Sequence, residues 1–320
     1  MKRFLRLALL VGLLGSTAAA FAAYPDHPVR IILPYAAGGG ADVLTRTVAD
    51  ALGRLWKQSV VVDNRPGAGA TIGTDMVAKA PADGYTLLMT ASTMAVSPAA
   101  YPKLPYDVLK DFAPITTVAE SPYVLAVNAA LPAHTVAEFL QLARREPGKL
   151  NFGSPGNGTL SHLSFELLSF RTGTRSTLVT YKGSNPALTA ALAGEVDFVL
   201  DTPAAVMPQV EAGKLRALGV TSAARSRSLP SVPSLQEAGV PDFDVMVWFG
   251  LLAPAHTPPE VVRQLYADVA KVLAAPGMKE KLDRERLEIT TMPPAEFGDY
   301  LRREVAKWGE VVKKANIKFE

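Results

Sequence analysis

The sequence predicts an α/β protein of two domains, each a mixed, mostly parallel sheet flanked by helices. Three observations carry that expectation. Short apolar runs alternate with amphipathic stretches at a spacing suited to helical crossovers rather than hairpins. The alternation lapses at the turn-rich run 101–106 and resumes beyond residue 122. A chain of 320 residues is long enough for two hydrophobic cores.

The first unit sets the theme. Val29–Leu33 reads as a buried strand, Gly38, Gly39 and Gly40 as a loop, and Asp42 as the start of a helix. Val43, Leu44, Val48, Ala51, Leu52 and Leu55 then recur at helical spacing. A helix N-terminus leaves several N–H groups without intrahelical partners, all aligned with the helix dipole, so this loop favours an anion. A second strand at 59–63 leads through Asn64–Gly73 into a helix. A third, at 85–90, reaches Ala91, Ser92 and Thr93. In a parallel sheet all three loops leave the C-terminal strand ends, where ligands of open α/β sheets sit.

The runs 114–118 and 123–127, separated by Ser121 and Pro122, read as a crossing into the second domain. Thr135 and Glu138 form a capping box that opens a helix ending at Pro147-Gly148. A strand at 150–153 runs into the glycine loop Ser154–His162, and one at 177–181 into Lys182–Pro186. There Asn185 can cap a helix that Gly194 ends. Strands at 196–200, reaching Asp201, and at 215–221 complete the second sheet. Residues 223–244 read as irregular surface and 245–253 as a return strand. A helix from Pro258 to about 274 follows. The last helix, Pro294–Lys314, carries Phe297, Tyr300, Leu301, Val305, Trp308 and Val312 on one stripe, expected to dock on the first domain. The expected boundaries are 23–122 plus 246–320 for domain one and 123–245 for domain two.

Residues 1–22 read as an export signal: Lys2, Arg3 and Arg6, a short apolar run, and small residues ending at Ala22. The run is too short for a membrane span. Those three charges account for the excess of 33 Lys+Arg over 30 Asp+Glu, so the exported chain is near neutral. No basic stripe with interleaved aromatics points to nucleic acid. With no cysteine, the exported fold rests on core burial rather than disulfides.

Catalytic chemistry finds little support. His27, His134, His162 and His256 are not at ligand spacing, so no metal centre is expected. Ser154 lies in an esterase-like turn, but Phe152 stands where that turn needs glycine. Gly67 and Gly69 suggest a dinucleotide fingerprint whose third glycine falls on Ile72, one place early. An anion held by backbone N–H groups needs no catalytic residue. Phosphate usually recruits Arg or Lys, and 34–41 contains neither; Lys182 is the basic residue in the second-domain loops. A carboxylate fits better.

The chain resembles the Bug (TctC-like) family of extracytoplasmic solute receptors of tripartite tricarboxylate transporters. The resemblance is carried by Pro34-x-x-x-Gly38-Gly-Gly-x-Asp42, Val62-Asp-Asn-Arg65-Pro-Gly-Ala-Gly69, Asp83-Gly-Tyr85-Thr-Leu, Gly156-Asn-Gly-Thr-x-Ser-His162, Tyr181-Lys-Gly183, Ala212-Gly-Lys-Leu-Arg216 and Trp248-Phe-Gly-Leu-Leu-Ala-Pro254, in family order. It implies a two-domain, type II periplasmic-binding-protein clamp, a small organic acid as ligand (mono-, di- or tricarboxylate, aromatic acids included) and membrane permease subunits as partners. No cofactor or metal is implied, and the receptor is expected to be a periplasmic monomer. Tyr35, Ala37, Gly38, Gly39, Gly40 and Asp42 would supply the first half of the site, with Ser92 and Phe249 beside them. Ser154, Asn157, Thr159, Ser161, Tyr181, Lys182 and Gly183 would supply the second. Asp201 is open to three readings: accepting from N–H groups, selecting a ligand hydroxyl or amine, or structure alone. Tyr35-Ala-Ala37 replaces the Pro and Gly of many relatives, so ligand identity does not carry over. A ligand-sensing partner of a membrane signalling protein would use the same site, and a dinucleotide-dependent enzyme is the remaining alternative.

Overall fold

The computed structural model describes residues 24–101, 103–315 and 317. The expected export signal lies outside the described residues. Two sheets repeat one plan. The first has the order β2-β1-β3-β10-β4-β11, from β1 (Val29–Leu33), β2 (Val60–Asn64), β3 (Thr86–Ala91), β4 (Phe112–Pro122), β10 (Met246–Pro254) and β11 (Glu288–Ile289). The second has the order β7-β6-β8-β5-β9, from β5 (Val124–Asn128), β6 (Asn151–Ser154), β7 (Thr177–Thr180), β8 (Phe198–Asp201) and β9 (Leu215–Val220). Each begins with three parallel strands and then takes an antiparallel strand that the chain delivers from the other lobe, β10 in one and β5 in the other.

Central parallel strands are covered on both faces and so read as continuous apolar runs. Every residue of β3 is buried, whereas the edge strand β2 is half-exposed. Helix α1 (Gly40–Trp56) buries Leu44, Val48 and Leu52 on the first sheet, beside α8 (Pro259–Leu273). Helices α2 (Thr71–Ala78) and α3 (Thr93–Ala100) follow β2 and β3. In the second lobe α4 (Val136–Arg145) opens with the expected capping box: Thr135 Oγ1 accepts from Glu138 N, and Glu138 accepts in turn from His134 N. Helices α5 (Leu160–Thr172), α6 (Ser184–Ala193) and α7 (Pro203–Glu211) complete that lobe. One hydrophobic core runs through both lobes, joining Ile32, Leu88 and Trp248 to Phe139, Phe152 and Phe198.

Several elements differ from the sequence expectation. The run expected at 114–118 is part of an eleven-residue strand, β4, because β10 pairs along its length, with Pro114 next to a register shift; the run at 123–127 is the separate strand β5. Helix α6 begins at Ser184 with Gly183 as its cap, rather than at Asn185 and Pro186; a φ of 114° at Gly183 starts the helix early. Helix α9 (Met278–Arg284) and β11 were not expected, since a short charged helix and a two-residue strand carry almost no periodic signal. The stripe on α10 (Pro294–Lys314) is buried as foreseen, with Phe297, Leu301 and Trp308 in the core. That helix also reaches α5 of the second lobe.

The lobes join where β4 passes into β5 at Tyr123 and where the chain returns along 221–245. Thr221, fully buried, ties the two crossings together. Its Oγ1 accepts from Tyr123 N at 2.7 Å and donates to Val245 O at 2.7 Å. Its own backbone donates to Tyr123 O and accepts from Val245 N, both at 2.9 Å.

Candidate functional site

The loop after β1 is held from below. Asn64, at the end of β2, donates to Tyr35 O at 3.1 Å and to Asp42 Oδ1 at 2.9 Å. Asp42 Oδ2 accepts from Gly38 N and from Arg46 Nε, each at 3.0 Å. These hydrogen bonds, with the Arg46 charge, hold the buried Asp42 carboxyl at about 2. Asp42 therefore braces the loop, and Gly38 gives its N–H to that brace. The next N–H groups, of Gly39, Gly40 and Ala41, have no partner among the described residues, and Gly39 and Gly40 are exposed. Gly39 is the N-cap and makes no side-chain cap bond. The result is the exposed, aligned donor array that favours an anion.

The wall beside it comes from β3 and β10. Tyr35 Oη pairs with Thr93 Oγ1 at 2.6 Å and accepts from Ala91 N at 3.2 Å, so its ring is fixed across the strand end. Half-buried Phe249 sits opposite Ala91 in the ladder. Ser92 is buried, its N–H committed to Trp248 O. The nearby guanidinium groups are engaged, Arg46 with Asp42 and Arg65 with Asp63.

The second lobe builds its half from two loops. Thr159 caps α5 by accepting from His162 N, while its hydroxyl donates to Gly156 O at 2.8 Å. Gly158 N donates to His162 Nδ1 at 3.1 Å, which places the ring proton on Nε2, facing Glu166 at 3.6 Å. Ser154 and Ser161 are buried and committed to Gly156 O and Leu200 O, so they shape the loop from beneath. Asn157 is exposed and accepts from Thr180. Tyr181 is half-buried and Lys182 exposed at the end of β7, and Gly183 N closes onto Pro155 O. At the end of β8, Asp201 accepts from Ser184 Oγ and, at 2.7 Å, from Thr202 N.

Tyr123 connects the halves. Burial raises the pKa of its phenol, and the next contributions come from Asp201 of the second lobe and Tyr35 of the first. Asp201 is in register with Val124, so the end of β8 lies beside the crossing at Tyr123. Sequence reasoning missed Tyr123, Asn64 and Ser184. Asn64 and Ser184 stood in loops already singled out, but nothing local marks which loop polar group points inward.

The catalytic alternatives meet physical obstacles. Gly67, Ala68, Gly69 and Ala70 all have positive φ. A Cβ on Gly69 would lie 2.0 Å from Tyr101 Oη, and one on Gly67 2.6 Å from Ile72 Cδ1. Side chains thus fill the space a pyrophosphate would need. Ser154 is buried, and His162 is turned to Gly158.

Comparison with known proteins agrees with this architecture. Residues 44–317 match the family described as "Tripartite tricarboxylate transporter family receptor". Protein BugT of Bordetella pertussis is 34% identical over 322 residues, covering 98% of this chain and 99% of that protein. Among solved structures, Rpa4515 of R. palustris with adipate is 36% identical with a TM-score of 0.81, over 93% of this chain and all of that one. MatC (Rpa3494) from Rhodopseudomonas palustris with bound malate is 30% identical with a TM-score of 0.76, over 90% of this chain and all of that one. The chain belongs to the tripartite tricarboxylate transporter receptor family, whose members are periplasmic solute receptors rather than enzymes.

Proposed function

We propose that this receptor binds a small organic acid in the cleft between its lobes and presents it to the membrane subunits of its transporter. The observation that carries the reading is the donor array at Gly39, Gly40 and Ala41, open to solvent and without a basic side chain in its loop. Backbone N–H bonds to a charged acceptor contribute about 1.5–3 kcal/mol each, and micromolar binding needs about 8 kcal/mol in all. A few such bonds with contacts from Tyr35, Phe249 and the 156–159 and 181–183 loops suffice. Asp42, Ser154 and Ser161 act by holding these loops in shape. Relatives with bound adipate and malate support a carboxylate as the ligand class. In this reading the lobes divide at 122/123 and 245/246, residues 1–22 are the export signal, and the receptor works as a monomer.

Thermal-shift and calorimetric titration of the exported chain against mono-, di- and tricarboxylates, aromatic acids and NAD test the proposal. At least one acid should stabilise the protein and NAD should not; stabilisation by NAD alone would overturn it. The variant Gly39→Val tests the loop. Its φ of −83° suits valine, and a Cβ there meets nothing nearer than Ala36 O at 3.9 Å, so the fold is retained. The branched side chain would stand over the exposed N–H groups and keep an anion out of hydrogen-bond reach, so affinity should drop at least about tenfold. Unchanged affinity would remove this loop from the site.

A further inference from the structure

The hinge has a far side as well as a cleft side. In the first sheet the crossing strands β4 and β10 stand between β3, β1 and β2, whose loops form the candidate site, and the edge strand β11. In the second sheet β5 likewise stands between β8, β6 and β7 and the edge strand β9. The segment that follows β9 stays with the second lobe: Leu229 and Val232 pack in one core with Val124 and Val220. Leu287, beside β11, packs with Ile31 and Leu265 of the first lobe. Contacts between 226–228 and 286–289 therefore bridge the lobes on the side away from the cleft.

Those contacts are polar and specific. Glu288 Oε1 accepts from Ser226 Oγ at 2.6 Å and from Arg227 N at 2.9 Å, and its Oε2 accepts from Arg227 Nε at 2.9 Å. Two residues earlier, Arg286 Nη2 donates to Glu211 Oε1, at the end of α7, at 3.0 Å. Arg286 O accepts from Ser121 Oγ, at the lobe crossing, at 3.2 Å. The Glu288 side chain is 14% exposed, so its bonds are shielded as well as charge-assisted. Glu211 is 64% exposed, and its pair with Arg286 alone is weak. Beside these bonds a cavity of about 580 Å³ is lined by Leu273, Ala275, Lys279 and Asp283 of the first lobe and by Arg227 and Ser228 of the second. The far side is thus held by the polar bonds rather than by close packing.

We propose that this set of bonds is a latch that holds the unliganded receptor open. The inference rests on the carboxylate reading above and adds the regulation of that site. Thr221 fastens the two crossings to each other, so closure turns the lobes about them. Bringing the site loops together then parts Ser226, Arg227 and Glu211 from Glu288 and Arg286. Gly39 and Gly40 are exposed while the latch is made, the combination expected of an open receptor. The ligand parts the latch through contacts it makes only when the lobes have closed. Apparent affinity is then the intrinsic affinity scaled by the closed fraction, which the latch keeps small. An empty receptor held open does not offer the closed shape to its transporter.

The double variant Glu211→Ala, Arg227→Ala tests this; both side chains are largely exposed and far from the site loops, so the fold is retained. The chain has no cysteine, so spin labels on Ile72→Cys and Thr189→Cys, exposed on the two lobes, report lobe separation. Without ligand, the latch variant should shift the label-to-label distances toward shorter values than the parent shows. In calorimetric titration with adipate, malate, succinate and benzoate, any acid that binds should bind the variant about fivefold tighter. That ratio should fall toward one in about 1 M salt, which screens the pairs. The exchange Glu211→Arg with Arg286→Glu should bring affinity back toward the parent's from that of Glu211→Arg alone. If the variant keeps the parent's distances and affinities, the latch does not set the lobe equilibrium, and the inference fails while the carboxylate reading stands. Weaker binding by the variant would mean that these contacts favour closure, which also overturns it. If neither protein binds any acid, the carboxylate reading fails, and the unliganded distances still decide whether the latch holds the lobes apart.

Discussion

Glu120 offers the sharpest test of the energetics at the lobe junction. It lies near the end of β4, in register with Glu288 of β11 and Trp248 of β10. Burial raises its carboxyl to about 7, with further pressure from Glu288 and Asp244 that Arg227 only partly offsets. Glu288 is better placed: its carboxylate accepts from Ser226 Oγ at 2.6 Å and from Arg227 N and Nε at 2.9 Å. Below about pH 4.5 Glu120 is protonated in both folded and unfolded chains and has no effect. Between 4.5 and 7 the unfolded chain ionises while the folded one stays protonated, so stability falls as pH rises. Above 7 the penalty is constant. The full difference corresponds to about 3 kcal/mol, reduced to about 2 by partial solvent access. Glu120→Gln removes the titration. Urea unfolding followed by circular dichroism at intervals from pH 4.5 to 8 should show equal stability at the acid end. At pH 8 the variant should lead by about 2 kcal/mol, with an unchanged denaturant slope. A constant offset at every pH, or a variant weaker at pH 8, would refute the reasoning.

Other expectations follow from individual contacts. Asp42→Ala should reduce stability at neutral pH by about 2 kcal/mol, since it strands Gly38 N–H and unpairs Arg46. In the parent chain this contribution is present above about pH 4 and declines as pH falls toward 2; acid unfolding curves of the two proteins should therefore converge. Thr221→Val should lower unfolding free energy by about 1–3 kcal/mol, because the buried Tyr123 N–H and Val245 C=O each lose a hydroxyl partner. Ala70→Gly should raise the urea midpoint modestly, since alanine at φ 76° bears about 1 kcal/mol of left-handed strain. Gly250→Ala should destabilise by about 1–3 kcal/mol, because its Cβ would fall 2.4 Å from Phe297 Cζ.

Much of the fold was legible because its signals are local. The continuous apolar runs of β1 and β3, the capping box at Thr135 and the stripe on α10 each announce an element within a few residues. The length of β4 was not, since its partner β10 arrives from more than a hundred residues downstream. At the site, the sequence pointed to the loops after β1 and β6, whose glycines mark tight backbone. It could not sort their polar groups. Asp42, Ser154 and Ser161 read in the sequence as loop groups open to a ligand, yet they turn inward to Gly38, Gly156 and Leu200, and Thr159 is likewise committed to Gly156 and His162. That orientation follows from where neighbouring strands end, which no spacing within a single loop encodes. Tyr123 was hidden for the same reason: it matters because its backbone is fastened to Thr221, almost a hundred residues downstream, at the crossing between the lobes.

Thr221 has a mechanical consequence. The chain passes between the lobes at Tyr123 and again before Val245, and both passes are fastened to this one buried residue by four hydrogen bonds. Sliding one pass against the other would break several of them at once, at about 1–3 kcal/mol for each buried group left unpaired. Twisting the two passes together keeps all four. Relative movement of the lobes is thereby channelled into rotation about a shared axle rather than shear.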